Sequence, residues 1–128
     1  WIPGSPYNGK HFVGVRFARA ASIDSIEVSR NNLPGGFGDR SVFNQDIQYT
    51  TTDSPDQTTP DSDWVSLGVM SRSSKTAEVW SFPGGAVDAT GLRVVQTNAG
   101  GCTDELTVFG NLGEIPGDNG YSAADPAN

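Results

Sequence analysis

The 128-residue sequence predicts an all-β protein, an antiparallel β-sandwich, on three observations. Sixteen Gly and eight Pro, with abundant Ser, Thr, Asn and Asp, demand frequent turns, while a hydrophobic content of 35% still fills a packed interior. Apolar residues recur with period two in short runs, which puts them on one face of a strand. No stretch carries the helical period, so antiparallel packing is favoured over a parallel sheet with helical crossovers.

The elements follow in order. Residues 1 to 6, rich in Pro and Gly, read as a loop entering a strand at Phe12. Val13, Val15 and Phe17 mark the first strand, Ile26 and Val28 the second, and Ile47 and Tyr49 the third. Between the last two lies a long loop over residues 30 to 45, with Asn31, Asn32, Pro34 and three Gly; another, over 53 to 63, holds Asp53, Asp56, Asp61 and Asp63. Further strands run around Trp64 to Met70, Thr76 to Phe82, Leu92 to Thr97 and Thr103 to Phe109. Alternation within these strands places Trp64 and Trp80 in the core. From Asn111 to Asn128 alternation is lost and the composition is that of a linker, so one domain is expected over residues 1–110 and a tail over 111–128.

Charge and composition exclude several function classes. A net charge of −7 repels phosphate backbones and anionic lipid, and no apolar run approaches the roughly 20 residues of a membrane span, so neither nucleic acid nor membrane insertion is expected. Cys102 is the sole cysteine and reads as a buried thiol. His11 is the sole histidine, and no nucleophile elbow, phosphate loop or dinucleotide fingerprint is present. Asp104 and Glu105 are strand neighbours that point to opposite faces and do not flank one bond; Asp61 and Asp63 read as solvated loop residues. The chain is expected to be non-enzymatic.

Certain segments carry a resemblance. FVGVRFARAASIDSIEVSR, followed by Asn31 and Asn32, then DIQYTTTDSPD and DSDWVSLG, then ATGLRVVQTNAGGCTDELTVFG, resemble in order and spacing the discoidin-like, coagulation factor 5/8 type C pattern, close to family 32 carbohydrate-binding modules. The resemblance covers residues 1 to 110, with Glu105 to Gly110 its most specific piece. It implies an eight-stranded jelly roll of the galactose-binding-domain-like kind, extracellular, binding glycans through loops at one end and often carrying a structural calcium ion. The family's opening strand and calcium loop, which precede the tryptophan matched by Trp1, are missing here.

Sugar recognition needs an aromatic face for the apolar side of a pyranose and fixed polar groups for its hydroxyls. The resemblance places sugar-contacting groups at Arg30 and Asn31; Asn32 shares their loop entrance, and Arg30 pairing with Asp39 is the structural alternative. Phe37, set among glycines, is the stacking ring, with Tyr7 a second choice. His11 is either a hydroxyl donor or a plain surface residue, and Asn98 borders the same end. By resemblance Glu105 is the closing calcium ligand and Arg93 a structural ion-pair partner spanning the sandwich end; alternation alone makes Glu105 a solvent-facing strand residue. The expected function is a glycan-binding module of a larger extracellular protein. The alternatives are a structural repeat unit that self-associates through the tail at 111–128 and, third, a glycoside-active fragment.

Overall fold

The computed structural model describes residues 11–29, 44–72, 76–96, 103 and 105–112. They form six strands: β1 (His11–Ser29), β2 (Asn44–Thr50), β3 (Val65–Ser71), β4 (Glu78–Ser81), β5 (Val87–Gln96) and β6 (Glu105–Asn111), with a 3-10 turn at Asp61–Asp63. Every pairing is antiparallel. The order is β3-β2-β5-β1-β4, with β6 also on β1, in one curled half-barrel sheet.

Two runs that alternation separates, Val13–Phe17 and Ile26–Val28, are a single 19-residue strand. Two irregularities explain why they look separate. Arg16 pairs with Gly91 and Ala21 with Ala89, so residues 17 to 20 oppose only Thr90, and β1 turns there from one half of the sheet to the other. Ile23 pairs with Gly110 and Ser25 with Phe109, leaving Asp24 as an extra residue. That bulge inverts the pleat, moving the buried set from Ala21 and Ile23 to Ile26 and Val28. Its carbonyl is taken by the Phe82 N–H at 2.9 Å.

A third irregularity lies between β2 and β3, where Ile47 pairs with Gly68 and Gln48 with Ser66, so Leu67 is the extra residue. Gly68 has φ 129°, a conformation that suits glycine, and its bare Cα faces the Trp80 ring. Ile23, Ile26, Val28, Ile47, Met70, Phe82, Ala89, Leu92 and Val94 form the buried core. Trp80 packs against this cluster, as alternation predicts, with its ring 5.9 Å from that of Phe82. At the far end of β2, Gln45 is buried and donates to Thr103 Oγ1 at 2.9 Å, tying β2 to the segment that enters β6.

Candidate functional site

The site grows from the face of β5 opposite the core. Leu92 and Val94 point inward, so Arg93 between them points outward, level with Gly14 on β1 and Gln48 on β2. An arginine on an outer sheet face is ordinarily solvated. Arg93 is only 3% exposed, because the loop joining β2 to β3 lies over it.

Local chemistry directs that loop back across the sheet. Thr90 Oγ1 donates to the Thr52 carbonyl at 2.6 Å, and the Thr52 N–H donates to Thr50 Oγ1 at 3.1 Å. Pro55 is buried against Gly91, where an added Cβ would stand 2.8 Å from the ring. Asp56 then closes a tight turn: the Thr58 N–H and hydroxyl both donate to its Oδ1 at 2.7 Å, and its own N–H donates to Thr59 Oγ1 at 2.9 Å. Pro60 leads into the 3-10 turn, which delivers Asp61 and Trp64 onto Arg93.

The guanidinium is held on every side. Nη2 donates to Asp61 Oδ1 and Nε to Gln48 Oε1, both at 2.8 Å. Gln48 is itself oriented by donating from Nε2 to Asp46, which also accepts from Ser66 Oγ. Arg93 Cζ lies 4.4 Å from the centre of the Trp64 ring and 5.1 Å from that of Phe12. Beside this clamp opens a concavity of about 400 Å³, edged by Phe12, Arg16, Asp56, Gln57 and Trp64. The Trp64 Nε1 donor is out of reach of water and has no acceptor.

No protein-family model, curated protein or solved structure matches the chain. The chemistry of the site therefore rests on its own side chains. Hydrogen bonds from the Thr58 hydroxyl and N–H hold the Asp56 carboxyl below its ordinary 3.8, with the Arg16 charge a smaller contribution. A carboxyl so lowered stabilises the fold at all pH above the ordinary Asp range and loses that contribution as pH falls through its lowered value. In an NMR titration Asp56 should therefore titrate below 3.8, and Thr58→Ala should return it towards that value.

Arg30, Asn31, Asn32, Phe37 and Asn98, with Tyr7 and Cys102, lie outside the described residues. His11 opens β1 opposite Gln96; its side chain also lies outside them. Glu105 begins β6, exposed, and accepts from Ser29 Oγ at 3.3 Å. Among the described residues no group of three or more His, Cys, Asp or Glu side chains is placed to hold a metal ion. Arg93 is an ion-pair partner as expected, but across the outer face and toward Asp61. Trp64 corrects the expectation of a core tryptophan: it precedes β3, is half-buried, and covers Arg93 outside the core cluster. Asp61, read from sequence as a solvated loop residue, has half its side chain in contact with the clamp.

Proposed function

We propose that the chain is a non-catalytic carbohydrate-binding module of a larger extracellular protein, with the curled sheet as part of a jelly-roll sandwich. The observation that carries this reading is the concavity over Arg93, where two rings, Phe12 and Trp64, stand beside the hydrogen-bonding groups of Arg16, Asp56 and Gln57. A pyranose presents C–H groups on one side and hydroxyls at its rim, which is the same division of apolar and polar surface. The order of the discoidin-like segments in the sequence supports the same class.

The carboxylates of the site suit binding better than bond cleavage. A general acid for glycoside cleavage needs a raised pKa, whereas Asp56 is lowered by its turn and Asp61 is committed to Arg93. Isothermal calorimetry against a panel of galactose-, glucose- and mannose-based oligosaccharides tests the proposal, and heats no larger than dilution across the panel would end it. Gln57 is exposed and lies in the loop, so Gln57→Ala should lower saccharide affinity by up to about tenfold, the worth of one hydrogen bond, at an unchanged melting temperature.

A further inference from the structure

Two cations and two anions meet around the concavity. Arg93 and Arg16 supply the positive charges, Asp61 and Asp56 the negative ones. Arg93 is already committed to Asp61, Gln48 and two rings, and it is almost wholly buried. Arg16 is exposed and edges the same concavity as Asp56. The position of Asp56 there is fixed, because Thr58 and Thr59 lock it from three hydrogen bonds.

We infer that Asp56 sets the charge selectivity of this site, so that uncharged saccharides are admitted and uronates or sulfated saccharides are turned away. The inference rests on the carbohydrate reading above. Among the described residues that line the concavity there are two cations: the buried one is matched by Asp61, and the exposed one, Arg16, shares the rim with the fixed carboxylate of Asp56, which an acidic sugar meets as it enters. Such a sugar also approaches a chain of net charge −7. Specificity thus comes from a repulsive group placed beside the hydrogen-bonding ones.

The test compares galactose oligomers with galacturonate oligomers of equal length by calorimetry, on the intact chain and on Asp56→Asn. Asparagine keeps the Oδ1 acceptor that Thr58 uses and removes only the charge, so the turn is retained. The ratio of galacturonate to galactose affinity should rise roughly twofold in Asp56→Asn at low salt, the size of one unscreened surface charge contact at about 8 Å. Arg16→Gln added to Asp56→Asn should cancel that rise. Salt gives a second reading that needs no variant: in the unaltered protein galacturonate should bind more tightly as sodium chloride is raised, because repulsion is being screened. Equal affinities for the two oligomers in the unaltered protein, or an unchanged ratio in Asp56→Asn, overturn the inference while leaving the carbohydrate reading intact. Absence of binding by both oligomers in all variants overturns the inference, and the carbohydrate reading falls with it when the glucose- and mannose-based oligosaccharides also give no heat.

Discussion

Arg93→Ala is expected to lower unfolding stability by about 3 kcal/mol and to abolish saccharide binding, measured by urea unfolding and calorimetry on the same sample. The loss has three sources. Two charge-assisted hydrogen bonds disappear, to Asp61 and to Gln48, and Gln48 Oε1 is left without its donor. The Trp64 and Phe12 rings lose the cation between them. The buried aliphatic stem leaves a hole in the outer face. Asp61→Asn should cost only about 1 kcal/mol, because Asp61 is half exposed and its amide still accepts from Nη2. Equal losses in the two variants would mean that the ion pair alone, and not the surrounding clamp, anchors the loop.

Gly110→Ala should cost a similar amount, about 3 kcal/mol, for an unrelated reason. Gly110 pairs with Ile23 beside the Asp24 bulge, and an added Cβ would collide with the Ser22 carbonyl oxygen and stand 2.7 Å from Ile23 Cα. Both obstacles are backbone, so no rotamer change relieves them; β6 has to move away from β1. Gly84 provides the control, since a Cβ there meets nothing within 4 Å and Gly84→Ala should shift stability by less than about 0.5 kcal/mol. Thermal melts of the two variants side by side decide the matter. A Gly110→Ala protein that melts with the unaltered one would show that β6 does not need its close approach to β1.

The class of fold was legible because period-two alternation is a direct imprint of a one-sided sheet, as at Val13 and Val15 or Ile47 and Tyr49. Alternation cannot see bulges. The Asp24 insertion shifts the buried set by one residue and splits β1 into two apparent strands, although hydrogen bonding runs through both parts. For the site, the SPDQTT stretch already carries a turn signal in Asp56 with Thr58 and Thr59, and Pro60 a helical-turn start. What stayed hidden was the surface that this turn covers. Trp64 looks like a core residue in any alternating pattern, and only the return of the loop over Gly91 shows that its partner is a cation on the opposite face. Phe12 and Arg16 were likewise silent, since their role depends on lying two residues to either side of Gly14, the residue of β1 that pairs with Arg93.

The length of β1 has a consequence during synthesis. Its partners are β4, β5 and β6, the earliest of which begins at Glu78, whereas β1 itself is finished at Ser29. At ribosomal speed the nascent chain carries this long, one-sided strand without any of its described partners for on the order of seconds, while β2 and β3 can already close on each other. Closure of the sheet therefore waits on the second half of the sequence, because β1 cannot pair until Glu78 and the residues after it have been made.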